Sequence, residues 1–166
     1  DVLERSLYNG ALAGISLGGD RFFYVNPLES KGDHHRQEWY GCACCPSQLS
    51  RFLPSIGNYI YASSDDALWV NLYIGNTGQI RIGETDILLT QETDYPWDGS
   101  VKLTISTSQP LEKEIRLRIP NWCKTYDLSI NGKRINVSEK KGYAVIKDWK
   151  SQDVIALDMD MPVEIV

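Results

Sequence analysis

Three cysteines fall within four positions of a 166-residue chain, in Gly41-Cys42-Ala43-Cys44-Cys45-Pro46. Sulfur at that density admits three readings. One is disulfide pairing, although adjacent cysteines such as Cys44 and Cys45 bridge each other only with backbone strain. The chain is also neither small nor cysteine-dense, unlike the secreted scaffolds that depend on disulfides. Another is plain burial, because a free cysteine packs like a small hydrophobe. The third is a site that uses thiolates, as metal ligands or as a nucleophile. The spacing is not that of a zinc ribbon, since no second Cys-x-x-Cys pair follows. Pro46 suits the first position of a helix, which places the cluster just before a helix start. Free backbone N–H groups there favour a thiolate over a thiol. Glu38, Trp39 and Tyr40 come immediately before the cluster. A carboxylate and two aromatic faces beside thiolates would suit a pocket for a polar ring, with Trp39 and Tyr40 as candidates for substrate contact. The plainer reading of Glu38 is a solvated loop acid, and of the two aromatics local packing. Cys123, in Ile119-Pro120-Asn121-Trp122-Cys123, reads as buried structure.

Two unlike stretches of chain must position these residues. At the start, Val2, Leu3, Leu7, Ala11, Leu12 and Ile15 follow the three-or-four spacing of a helix face. A helix already in stride at residue 2, without Met or a signal-peptide layout, points to a chain cut from something longer, the plainer alternative being a processed mature terminus. Gly18-Gly19-Asp20 reads as a turn, Arg21 to Val25 as a short strand, and the polar run from Glu29 to Gly41 as a loop. The helix at Pro46 would bury Leu49, Phe52, Leu53 and Ile56, with Pro54 kinking or restarting it. From about Tyr59 the apolar period drops to two: Val101, Leu103 and Ile105 alternate with polar neighbours. Ile115, Leu117 and Ile119 do so against Arg116 and Arg118, and Leu128, Ile130, Val145, Ile155 and Leu157 continue the pattern. Asn131-Gly132 is a hairpin signal, and Gly75-Asn76, Gly78, Asp98-Gly99 and Lys141-Gly142 supply further turns. Short alternating strands at such spacing predict a mainly β fold, an antiparallel β-sandwich or jelly roll, behind a helical stub. The predicted boundary lies between residues 1–64 and 65–166.

Composition removes other classes. The chain is 42% apolar and 23% charged, with a formal net charge of −5, which is the balance of a globular domain. No stretch approaches the roughly 20 apolar residues that span a bilayer as a helix. A net negative chain has no electrostatic reason to seek nucleic acid or an anionic membrane. His34-His35 reads as an exposed loop pair, Asp65-Asp66 as a turn or cap. Trp69, Trp97, Trp122 and Trp149 read as sandwich core; an exposed row of them would instead stack on sugar rings. Asn136-Val137-Ser138 fits the glycosylation pattern without a context that gives it meaning.

Glu38-Trp39-Tyr40-Gly41-Cys42-Ala43-Cys44-Cys45-Pro46, with Leu49-Ser50-Arg51 after it, resembles glycoside hydrolase family 127, the β-L-arabinofuranosidase family. The resemblance extends through Phe22-Phe23-Tyr24-Val25-Asn26-Pro27-Leu28 and Ile56-Gly57-Asn58-Tyr59-Ile60-Tyr61. It continues in Thr93-Asp94-Tyr95-Pro96-Trp97, Leu117 to Trp122 and the closing Met161-Pro162-Val163-Glu164. It implies that residues 1–64 are the last piece of an (α/α)6-barrel catalytic domain and residues 65–166 a β-sandwich domain. It implies a retaining hydrolase in which Cys44 is the nucleophile and Cys44 and Cys45 are zinc ligands. The other two ligands, a glutamate and a cysteine, and the glutamate acting as general acid/base would all lie upstream of this chain. Glu38 matches none of them, and Cys42 receives no catalytic role. By the same resemblance the substrate is an arabinofuranoside-type glycan and zinc is the cofactor of the full-length protein. Two thiolates supply half of a tetrahedral shell, so the chain alone is expected to hold zinc weakly or not at all and to be inactive. A barrel stub would leave apolar helix faces uncovered, which favours association into oligomers. The rival reading is a non-catalytic β-sandwich that binds glycans or braces a neighbouring domain, a role with no need for adjacent thiols at a helix start.

Overall fold

The computed structural model of the chain describes residues 1–42, 44–109 and 112–163. Ala43 of the cysteine word and Glu164 of the closing motif lie outside the described residues. The chain divides into two compact units, the first Asp1–Gly57 and the second beginning at Asn58.

In the first unit, α1 (Val2–Arg5) runs on as a π-helical turn (Ser6–Ala11) and a 3-10 turn (Leu12–Gly14). The expected helix is therefore present but overwound and underwound along its length. Of its apolar face only Leu7 is buried; Val2 and Leu3 are exposed. The strand expected at Arg21–Val25 does not form. Phe22 makes only single bridges, to Ile15 and Gln37, because no neighbouring extended segment continues the ladder. Residues 29–41 are irregular, as the sequence predicts. Helix α2 (Cys44–Ser55) begins two residues before Pro46, so Cys44 and Cys45 form its first turn rather than preceding it. Proline is tolerated at this third position because the first four helical N–H groups have no intrahelical partner. Pro54 lies inside α2, which ends one residue later, and a single turn restarts as α3 (Gly57–Ile60). The stripe predicted as buried is a correction: Leu49, Phe52 and Ile56 are half-buried and Leu53 is exposed. No second layer within the described residues of this unit covers that face.

The second unit is a two-sheet sandwich. One sheet has the order β1 (Tyr61–Ser63), β2 (Ala67–Val70), β6 (Glu114–Arg118), β10 (Tyr143–Ile146), β9 (Ser138–Lys140). The other runs β3 (Asn76–Ile82), β4 (Thr85–Thr93), β5 (Ser100–Thr107), β11 (Val154–Met159), β7 (Tyr126–Ile130), β8 (Lys133–Arg134). All pairs are antiparallel except β2 with β6. Strand β1 already pairs into the sheet ahead of residue 65.

Alternation builds the core. Side chains at every second residue of a strand share a face, and Val101, Leu103, Ile105, Ile115, Leu117, Ile155 and Leu157 are all fully buried. Asn131 and Gly132, both at positive φ, form the two-residue turn between β7 and β8, as the sequence predicts. Lys141-Gly142 does the same between β9 and β10. Gly78 is not a turn but lies within β3, where its bare Cα faces the Tyr61 ring. Arg118, counted as a polar alternate, is buried: its Nε donates to the Asn71 carbonyl at 2.5 Å and its guanidinium lies over the Tyr73 ring. The tryptophans divide. Trp149 is buried, Trp122 stacks on Tyr95, and Trp69 is half-buried beneath the Arg116 guanidinium. Trp97 is 90% exposed, contrary to the core reading, because its strand has already ended at Thr93. Ser64 Oγ accepts from the Asp66 and Ala67 amides, so the Asp65-Asp66 turn is closed as expected.

Candidate active site

The first turn of α2 brings sulfur and phenol together. Cys44 Sγ is exposed and lies 3.4 Å from Tyr24 Oη, 3.6 Å from Cys42 Sγ and 3.8 Å from Cys45 Sγ. All three clustered thiols are free. Helical backbone fixes Cys44 and Cys45, and Ser47 Oγ reinforces that turn by donating to the Cys44 carbonyl at 3.0 Å. Tyr24 arrives from the irregular segment before the cluster. Its ring packs tilted against Tyr40, which packs in turn on Phe22 and donates its hydroxyl to the Phe22 carbonyl at 3.3 Å. Three aromatic rings thus fix the phenol beside the sulfur.

The electrostatic consequence has a clear sign. A hydroxyl donating to sulfur stabilises the thiolate. The Cys44 thiol is held below the ordinary cysteine range, first by Tyr24, then by hydrogen bonds from Cys42 and Cys45. The same contacts push Tyr24 upward, with the Cys44 hydrogen bond the largest cause. Cys45 moves the other way: burial raises it first, and the bond to Cys44 adds to that. Two adjacent thiols pulled in opposite directions mark Cys44 as the one that loses its proton first.

The donor set also has the dimensions of a metal edge. Two thiolates at about 2.3 Å from a tetrahedral zinc stand about 3.8 Å apart, and the Cys44 and Cys45 sulfurs are separated by that distance. Among the described residues no group of three or more His, Cys, Asp or Glu side chains is arranged to hold a metal ion. The pair fits half of a zinc shell.

The comparisons with known proteins divide the chain along the same lines. The profile of the β-L-arabinofuranosidase GH127 catalytic domain matches residues 1–58, and that of the GH127 middle domain matches residues 67–161. The chain belongs to glycoside hydrolase family 127. It is 38% identical over 185 aligned residues to a non-reducing end β-L-arabinofuranosidase of Bifidobacterium longum subsp. longum. The match takes in all of this chain and 28% of that enzyme's length. Among solved structures, a GH127 β-L-arabinofuranosidase from Geobacillus stearothermophilus T6 superposes with a TM-score of 0.87 at 45% identity. It covers 98% of this chain, which covers 28% of it. A GH127 β-arabinofuranosidase designated BT3674 gives a TM-score of 0.89 at 41% identity, over 97% of this chain and 28% of its own.

Within this family 127 chain, the residues singled out from sequence separate. Cys44 and Cys45 stand together. Tyr40 supports Tyr24 from behind and is half-buried. Trp39 is 63% exposed, and Glu38 accepts from the Arg21 guanidinium at 2.8 Å, a paired loop acid. His34 is not the free loop histidine expected: it is half-buried, stacks on Phe23 and bonds the Val25 carbonyl at 2.9 Å, while His35 is exposed. Cys123 is half-buried in the sandwich, with its thiol raised by burial and bonded to the Thr125 carbonyl at 3.2 Å. Sequence reasoning missed Tyr24. Its only signal was membership of the family-like stretch around Asn26-Pro27, which gave no reason to aim a phenol at Cys44.

Proposed function

We propose that this chain supplies the nucleophile of a β-L-arabinofuranosidase that releases arabinofuranosyl units from glycans with retention of configuration. The observation that carries the reading is the Tyr24 hydroxyl on an exposed, acidified Cys44 thiol at the head of α2. Residues up to about 64 would belong to the catalytic barrel, and those from about 65 to a β-sandwich domain. Cys44 and Cys45 would hold zinc, with two further ligands from outside this chain. Bound there, zinc would stabilise the thiolate form of the pair.

Cys44 Sγ attacks the anomeric carbon while an acid from outside this chain protonates the departing oxygen, giving a thioglycoside that water then hydrolyses. Tyr24 keeps its own proton and donates it to the sulfur as a hydrogen bond, holding Sγ ready without neutralising it. When the thioglycoside breaks, the same hydroxyl receives the returning thiolate. Cys45, 3.8 Å from Cys44, would serve as a zinc ligand rather than as the nucleophile.

The test is turnover of a nitrophenyl β-L-arabinofuranoside by three proteins: the full-length enzyme, its Cys44→Ser variant and the isolated 166-residue chain. Full-length enzyme is expected to turn over, with the variant and the isolated chain at least about 10³-fold slower. The isolated chain should also retain less than one equivalent of zinc after gel filtration. An unchanged rate in Cys44→Ser would remove Cys44 from the mechanism.

A further inference from the structure

Cys42 is the one thiol of the cluster to which the proposed reaction gives no role. Its sulfur stands 3.6 Å from that of Cys44, and both side chains are exposed, so a small solute in water reaches them together. We propose that Cys42 and Cys44 form a reversible disulfide under hydroperoxide, an oxidative modification site that blocks the nucleophile. The catalytic consequence rests on reading Cys44 as the nucleophile; the bond itself does not.

Geometry selects the partner. Cys45 Sγ is almost as close to Cys44, at 3.8 Å, but neighbouring cysteines must close a ring through a single peptide unit, which strains the backbone. Cys45 is also half-buried within α2, where moving its backbone would disrupt helical hydrogen bonds. Cys42 lies ahead of the helix, next to Gly41, around whose Cβ position no heavy atom lies within 4 Å. Cys42 and Cys44 are both exposed, so rotation of the two side chains can supply the closure of about 1.5 Å needed to reach a bond of about 2.05 Å.

The chemistry balances. Cys44 thiolate attacks one peroxide oxygen, the O–O bond breaks, and a sulfenic acid forms as hydroxide or alkoxide leaves. Cys42 sulfur then attacks Cys44 sulfur, the S–O bond breaks, and hydroxide leaves as the S–S bond forms. The two thiol protons convert the leaving groups to water, or to water and an alcohol. Two electrons pass from the thiols to the peroxide. A dithiol reductant reverses the change and restores both thiols.

The experiment treats the 166-residue chain with hydrogen peroxide, alkylates it with iodoacetamide and digests it with trypsin. The peptide spanning residues 37–51 contains all three clustered cysteines and no internal Lys or Arg. The proposal expects this peptide to lose two hydrogens and carry one alkyl group, on Cys45, with dithiothreitol restoring three. Cys42→Ser should instead accumulate oxygen on Cys44. Three results would overturn the proposal: an alkyl group on Cys42, which places the bridge between Cys44 and Cys45; oxygen addition to Cys44 with Cys42 still alkylated; or three alkyl groups after peroxide. In the full-length enzyme, peroxide should abolish turnover and dithiothreitol restore it. If the bridge forms but Cys44→Ser enzyme keeps its rate, the bond stands and its catalytic consequence falls.

Discussion

Cys44 owes its acidity to a phenol twenty positions upstream. The sign of that effect can be measured. Thiolate, not thiol, is alkylated, so in the isolated chain the alkylation rate of Cys44 should rise with pH to a midpoint below the ordinary cysteine value of about 8.5. Tyr24→Phe removes the largest stabilising contact and should shift the midpoint upward, read by peptide mapping at Cys44 across pH 6 to 10. An unmoved midpoint would show that the hydroxyl does not reach the sulfur in solution. Residue type and spacing put Cys44 and Cys45 together at a helix start, where the structure has them, while their roles came from the family resemblance alone. Tyr24 was not, because a loop-to-helix contact across twenty residues has no period to read. Trp39, near the cysteines in sequence, is 63% exposed.

Among the elements, the strands of the sandwich gave themselves away and helix faces did not. A period of two records burial on one side of a sheet, and both sheets lie within this chain, so Leu103 or Ile155 could be assigned correctly. The stripe on α2 has a period equally clear, yet its covering layer is not among the described residues of its unit, so periodicity promised a burial that Leu53 does not have. Trp97 and Arg118 failed for a different reason. Residue type suggested core for one and solvent for the other, while the end of a strand and the Asn71 and Tyr73 partners decided otherwise. The Asp98-Gly99 turn was legible, but its tightness was not. A Cβ on Gly99 would overlap the Met159 carbonyl oxygen, where Gly99 and Met159 backbones also hydrogen-bond. Gly99→Ala should therefore cost about 3 kcal/mol, measured by urea denaturation with unchanged m-value. A loss under about 0.5 kcal/mol would mean that the turn relaxes freely.

The molecule as a whole joins a thiol-bearing unit to a sandwich whose stability can be probed separately from chemistry. Tyr126 is pushed up to about 12, first by burial and then by donating to Glu139 at 2.8 Å. The unfolded chain loses this proton near pH 10, whereas the folded chain keeps it. Stability is thus complete below about pH 10 and falls as pH rises toward about 12. Tyr126→Phe should flatten that fall, seen in denaturation midpoints between pH 9 and 12; an identical fall would assign alkaline loss to other groups.

The chain spans 28% of the curated relative's length. The proposed nucleophile is one atom of this chain, Cys44 Sγ. Full-length enzyme incubated with an activated β-L-arabinofuranosyl donor, quenched in acid during turnover and digested, should yield the peptide spanning residues 37–51 with one pentosyl unit added at Cys44. A pentosyl unit on a carboxylate or on Cys45, or turnover with no sugar ever attached to protein, would contradict the account.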